Sequence, residues 1–206
     1  MLGALPAATQ ARSHGTPRAP ASITAIVIHA VSGPVCVRGT VRFGTSFGWF
    51  DGALFWQLRM KLASRAEAHV VIGRGGSVRQ VMPFTEVAHH AVGVNEVSIG
   101  IELVHRGDGV EPFPEAQIAA LIETIKGIRR TFKTIPVGNI VMHSEIDQRT
   151  CDCAGVAYHR RQDPGANFPI RRVIDAVRQP GDVSGTAALP RLFGPAPANA
   201  CATSWF

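Results

Sequence analysis

The sequence predicts an α/β domain, a mixed central β-sheet flanked by helices, on three observations. Short β-branched apolar runs recur through the middle of the chain, among them Thr24 to His29, Ala68 to Gly73, Ser98 to Val104 and Asn139 to His143, each of strand length. One long helical stripe lies between the last two: Ile118, Leu121, Ile122, Ile125, Ile128 and Phe132 share a face at a 3.6-residue period. Strands interspersed with helices bury both kinds of apolar surface when the helices lie on the sheet. The third observation is size and composition. With 206 residues, 46% of them hydrophobic and 17% charged, the chain suits one domain with a proper core and is short for two.

In chain order, residues 1 to 22 are rich in Ala, Pro, Arg and Ser without periodicity, and a flexible N-terminal arm is expected there. The domain is expected from 23 to 178. Thr24 to His29 reads as a strand covered on both faces, stopped by Ser32-Gly33-Pro34. Arg38 to Trp49 is glycine-punctuated and aromatic, which predicts a long irregular loop. Asp51 is a candidate N-cap for a helix in which Leu54, Leu58 and Leu62 repeat every four residues. Ala68 to Gly73 and Ser77 to Val81 form two strands, and Arg74-Gly75-Gly76 has the chemistry of a hairpin turn.

Ser98 to Val104 alternates, with Ile99, Ile101 and Leu103 on one face and Gly100 and Glu102 on the other. From Pro114 to Phe132 the helix has proline in its first turn, Glu115 at the positive end and Arg129, Arg130 and Lys133 at the negative end. A strand ending in His143 follows. Residues 144 to 162 are expected as a polar surface loop, Ile170 to Val177 as a short helix, and 179 to 206 as a tail.

The net charge of +6 suits an anionic partner. The arginines are scattered and no basic run is interleaved with aromatics, so nucleic acid is not expected. No apolar run approaches a membrane span, and no transmembrane segment is expected. Met1 to Ala8 lacks the positive start of a signal peptide. Cys36, Cys151, Cys153 and Cys201 are an even set, and the Cys-Asp-Cys spacing is too tight for an easy local bridge. Reduced thiols and one or two long-range disulfides both remain open.

Two strands end in histidine. Alternation places Val27 and His29 opposite Ile26 and Ile28, and His143 opposite Ile140 and Met142. A lone histidine at such a place is more often a satisfied structural residue than a ligand; two matching cases each need a partner. Asp163, in an Asp163-Pro164-Gly165 turn, supplies a third donor. Two imidazoles and one carboxylate leave a fourth tetrahedral position open, the composition of a catalytic zinc site. Glu102, on the strand face that Gly100 leaves open to a ligand, is the candidate general base.

Six segments in this order, Ile26-Val27-Ile28-His29, Ala68-His69-Val70-Val71-Ile72, Ala88-His89-His90-Ala91, Ser98-Ile99-Gly100-Ile101-Glu102-Leu103, Pro114-Glu115-Ala116-Gln117-Ile118 and Asp163-Pro164-Gly165, resemble the successive motifs of the type 2 N-acetylmuramoyl-L-alanine amidases, a family that includes the peptidoglycan recognition proteins. The resemblance covers about residues 23 to 178. It implies a zinc-dependent amidase cutting between N-acetylmuramic acid and L-alanine in peptidoglycan or muropeptides, with His29, His143 and Asp163 on the metal and Glu102 catalytic. By the same resemblance His90 and Asn95 lie beside the substrate, while His69 and His89 are read as packing residues. Arg161 stands where the family usually has lysine; it can stabilise an oxyanion but does not readily release a proton. Some relatives use cysteine as third ligand, so Cys151 or Cys153 is an alternative to Asp163, which is preferred for its context. A monomer is expected, in the cell envelope or secreted, with the cytoplasm as the alternative. The alternative function is a non-catalytic peptidoglycan-binding domain.

Overall fold

The computed structural model of the chain describes residues 15–43, 68–182 and 189–201. The helix expected after Asp51 lies outside them. Five strands form the central sheet: β1 (Ala25–Ala30), β4 (Val70–Ile72), β5 (Val78–Gln80), β6 (Ser98–Leu103) and β7 (Ile140–Met142), in the order β5-β4-β6-β1-β7. β1 runs parallel to both β6 and β7, β4 runs parallel to β6, and β5 is the antiparallel edge. The mixed sheet is the one expected. Every residue of β1 is buried, as an uninterrupted apolar run in the middle of a parallel sheet requires.

The two faces do different work. One presents Ile26, Ile28, Ile99, Ile101, Leu103, Val70 and Ile72 to helix α1 (Glu115–Thr131) and to Val173 and Val177 of the C-terminal helix 170–177. Fully burying one such side chain contributes about 1.5–3 kcal/mol, so this face carries most of the apolar stabilisation. The stripe read from sequence is buried as expected, but it also contains two polar residues. Gln117 donates to the carbonyls of Ile72 and Val104, and Arg129 donates to Val177 O and pairs with Asp182. The donor groups of each buried polar side chain thereby tie the helix to a neighbouring segment. The other face carries Val27, Val141, His29, Gly100 and Glu102, with Ala91, Val94 and Ile146 packed on its apolar part.

Two expectations are corrected. The irregular loop predicted from Arg38 begins as a hairpin, β2 (Pro34–Val37) with β3 (Thr40–Phe43), turned at Arg38 and Gly39 with φ of 50° and 76°. Positive φ at both central residues matches the right-handed strand twist, and arginine occupies a position where glycine or asparagine is usual. The stretch 144 to 162 is not a plain surface loop. It contains the one-turn helix α2 (His143–Ile146) and a second hairpin, β8 (Thr150–Cys153) with β9 (Val156–His159). Cys151, Cys153 and Tyr158 are buried in it, an apolar cluster hidden in a polar-looking segment.

All four cysteines are paired, Cys36 with Cys153 and Cys151 with Cys201. Both cross-links therefore land on β8, joining it to β2 and to the short helix 198–201. Segments outside residues 23–178 also pair with that region. Thr16 and Arg18 exchange backbone hydrogen bonds with Val87 and Thr85, and Gln148 and Thr150 donate to Leu192 and Gly194. Backbone pairing thus reaches residues 16–18 and 192–196, where composition shows no apolar pattern, because such pairing needs none.

Beside the 189–201 segment lies a buried charge cluster. Asp147 has no exposed surface and pairs with Arg149 and Arg160. Burial alone would raise its carboxyl, but hydrogen bonds and charge from Arg149, with charge from Arg160, bring it down to about 2. A carboxyl depressed in the fold stabilises it above its unfolded pKa, and that contribution disappears as pH falls through the folded value. Urea unfolding should therefore show stability from this group intact above pH 4 and lost between pH 4 and pH 2, with Asp147→Asn flattening the profile in that window. Reduction tests the staples. Closing a loop across the 117-residue separation of Cys36 and Cys153 contributes about 5 kcal/mol in the chain-entropy account, and a thermal scan with and without reductant should show a clear fall in midpoint.

Candidate metal centre

His29 is the fifth residue of β1, and parallel pairing places it level with Glu102 of β6. Neighbours in register on parallel strands point to the same face, so imidazole and carboxylate project side by side. On the other flank β7 pairs Val27 with Val141 and Ile28 with Met142, and His143 follows directly as the first residue of α2. Glu145 accepts from Met142 N and closes that turn. Asp163 arrives twenty residues later. Ser144 N donates to Asp163 O at 3.0 Å, pinning the backbone of the third donor beside that of the second. Gly165 has φ of 115°, and a β-carbon there would meet Gly109 N at 3.0 Å, so the turn packs on the 105–113 loop only with glycine.

The three side chains converge. His29 Nδ1 lies 2.9 Å from His143 Nδ1, His143 Nδ1 lies 3.1 Å from Asp163 Oδ2, and His29 Nδ1 lies 3.2 Å from Asp163 Oδ2. All three residues are buried. Two imidazole nitrogens and a carboxylate oxygen facing one point present three lone pairs to each other, unfavourable unless a proton or cation sits among them. A tetrahedral zinc with ligands at about 2.0–2.2 Å needs ligand atoms about 3.3–3.6 Å apart. The triangle is a few tenths of an ångström tighter than that, and its donor set fits such an ion.

The electrostatics agree with ligands in their deprotonated forms. Burial first, then the nearby His143, pushes the His29 imidazole down to about 4, against the pull of Asp163. Burial would by itself raise the Asp163 carboxyl, yet His143 and His29 hold it well below the usual carboxylate range. A neutral imidazole and an ionised carboxylate are what a metal requires. Of the alternative third ligands, Cys151 and Cys153 are consumed in disulfides; neither belongs to the triangle.

Other candidates are distributed around this point. Arg161 is half-buried, its charge reaches His29, and its Nε is buried without a hydrogen-bond partner. His90 is buried behind His29, with its Nδ1 3.0 Å from His29 Nε2. Asn95 Oδ1 accepts from the backbone nitrogens of His90 and Ala91 at 3.0 and 2.7 Å, bracing the loop that carries His90. His69 accepts from Gly100 N through Nδ1, and its Nε2 lies 2.9 Å from Glu86 O, the packing role expected of it. His89, for which packing was also expected, is exposed.

Gly100 does not leave its strand face open. A β-carbon there would lie 2.6 Å from His90 Cγ and 2.8 Å from His90 Nδ1; the space is filled by the His90 ring. Sequence reasoning missed two further residues. Ser98 shares the strand face of Gly100 and Glu102, a position that alternation alone could have flagged. Arg18, in the segment expected as an arm, donates to the carbonyls of Phe84, Asn95 and Ser98; no periodic signal marks it. Gly100→Ala should displace the imidazole and destabilise the fold by about 1–3 kcal/mol, the usual cost of overpacking, measurable as a lower urea midpoint.

The comparisons with known proteins agree with this geometry. Residues 19–166 match the Amidase_2 family model, described as N-acetylmuramoyl-L-alanine amidase. The chain is 30% identical over 174 residues to the 1,6-anhydro-N-acetylmuramyl-L-alanine amidase AmpD of Haemophilus influenzae, covering 77% of this chain and 85% of that protein. It is 37% identical over 109 residues to the N-acetylmuramoyl-L-alanine amidase AmiD of Escherichia coli, covering 46% of this chain and 36% of that protein, so it spans about a third of that longer relative. A solved complex of E. coli AmiD with anhydro-N-acetylmuramic acid-L-Ala-D-γ-Glu-L-Lys superposes with a TM-score of 0.54 at 24% identity, over 84% of this chain and 62% of that one, and shares the fold. The sequence match across most of the chain places it in the N-acetylmuramoyl-L-alanine amidase family, Amidase_2.

Proposed function

We propose that the protein is a zinc-dependent N-acetylmuramoyl-L-alanine amidase acting on peptidoglycan or its muropeptide fragments. One observation carries the reading: three buried donors from β1, α2 and the Asp163 turn meet within 3.2 Å of one another, with Glu102 level with His29 on the adjacent strand. Family membership supplies the substrate class.

His29, His143 and Asp163 would hold the ion, which when bound supplies Lewis acidity towards the amide carbonyl and towards water. Glu102 accepts the proton of the attacking water as its oxygen bonds to the lactyl carbonyl carbon. The same carboxyl then delivers that proton to the nitrogen of L-alanine as the C–N bond breaks, which balances the hydrolysis. Arg161, whose charge acts on His29 and whose buried Nε–H has no partner among the described residues, would supply a fixed positive charge for the developing oxyanion. Because guanidinium keeps its proton at working pH, the acid–base work falls to Glu102 alone. The pairing of all four cysteines supports a place in an oxidising compartment, the cell envelope or outside the cell.

The test uses purified protein and a defined muramyl-peptide, scored by the appearance of a new L-alanine amino terminus. Zinc-loaded protein should release it, and chelator should stop the reaction until zinc is returned. Glu102→Gln should keep stoichiometric zinc and lose about a hundred- to ten-thousandfold in turnover; near-normal turnover would remove Glu102 from the base role. A protein that binds the peptide but neither cleaves it nor holds zinc is a recognition domain instead.

A further inference from the structure

The geometry points to a positioning role for His90 and Ser98: together they form a hydrogen-bonded relay that fixes the tautomer of His29, leaving Nδ1 as a bare lone pair aimed at the metal centre. Each link is set by the one before it. Ser98 Oγ has a single proton, and it donates it to Val94 O at 2.6 Å. Towards His90 Nε2, 3.2 Å away, the hydroxyl can therefore act only as acceptor. His90 Nε2 then carries the ring proton and His90 Nδ1 is bare. His90 Nδ1 lies 3.0 Å from His29 Nε2, so His29 Nε2–H donates to it. That leaves His29 Nδ1, the atom 2.9 Å from His143 Nδ1 and 3.2 Å from Asp163 Oδ2, without a proton.

The relay is held by elements outside the metal triangle. Ser98 is completely buried and His90 nearly so, so neither exchanges its partner for solvent. Gly100 gives the His90 ring its place on the strand. Asn95 fixes the His90 backbone, and Arg18 Nη1 clamps the carbonyls of Asn95 and Ser98 at 2.8 Å each. An imidazole whose far nitrogen is committed to an acceptor is oriented and made more basic at the coordinating nitrogen. His90 thus acts through His29 and does not need to touch substrate, in contrast to the substrate-side role that the family resemblance implied for it.

This inference rests on reading the triangle as a metal site, and two measurements separate the failure of one from the failure of the other. The first is made on metal-free protein by long-range ¹H–¹⁵N imidazole spectra. His29 should be the Nε2–H tautomer in the wild type and a mixture in Ser98→Ala, while Ser98→Thr, which keeps the hydroxyl, should restore the wild-type pattern. His29 found mainly as Nδ1–H in the wild type overturns the relay whether or not zinc binds. The second is zinc affinity by competition with a chromophoric chelator. His90→Phe, which fills the space without an acceptor, should weaken zinc ten- to a hundredfold, and His90→Gln, whose amide oxygen can accept from His29, should recover most of the loss. Unchanged affinity in His90→Phe overturns the proposal. Wild-type protein that takes up no zinc removes the metal reading, and the spectra still decide the relay. If His90→Phe fails to fold, the Ser98 pair carries both measurements.

Discussion

The parallel pairing of β1 with strands on both sides is the constraint on which the rest of the structure depends. In parallel register, residues at equal height on adjacent strands share a face, so His29, Glu102 and the start of α2 are brought level without any local motif. A slip of one residue would turn His29 into the helix-covered core and bring Ile28 or Ala30 to the site. What prevents the slip is the opposite face. Ile26, Ile28, Ile99 and Ile101 all pack into one cluster beneath α1, and exchanging them for His29, Gly100 and Glu102 would bury unpaired polar groups. The hydrophobic layer therefore positions the chemistry on the other side of the sheet.

The loop-covered face meets a different difficulty. It buries several polar or charged side chains, among them His29, His69, His90, Ser98, His143 and Asp163, close together, and each must find a partner. The described hydrogen bonds show how this is done. His69 is satisfied mainly by backbone, His90 by His29 and Ser98, and Asp163 by the two imidazoles. Loop 84–98 supplies Glu86 O to His69 and carries His90 itself, and loop 105–113 packs against the Asp163 turn at Gly165. Their conformations are in turn pinned by Asn95, Arg18, and the pairing of Glu111 with Arg74. A face rich in buried polar groups thus requires long, well-determined loops, which is why the connections between strands are so much longer here than a hairpin needs.

Much of this was legible in the sequence. Period-two alternation placed His29, Glu102 and Gly100 on a face opposite the isoleucines, and a helical stripe placed α1 on the sheet. These signals are repeated several times within one element, and burial enforces them. The Asp163 turn was legible through its neighbours Pro164 and Gly165. What could not be read depends on single contacts between distant segments. Arg18 looks like any arginine of a polar arm until the carbonyls of Asn95 and Ser98 surround it. The pairing of Cys151 with Cys201, and not with any other cysteine, is settled by the tertiary path alone. Gly100 was read as leaving its strand face open to a ligand, and the His90 ring occupies that space instead.

The spacing of the three donors has a thermodynamic consequence for the whole molecule. His29 and His143 are 114 positions apart, and Asp163 lies a further 20 along the chain. An unfolded chain almost never gathers such distant groups, since loop closure opposes it. Any cation held by all three therefore binds the native state and scarcely the denatured one, and its binding energy becomes folding energy by mass action, about 2.7 kcal/mol when free ion stands at a hundred times its dissociation constant. The three donors come from the central strand, the start of α2 and the turn before helix 170–177. Occupancy then opposes the opening of all three together, so the site protects the fold that builds it.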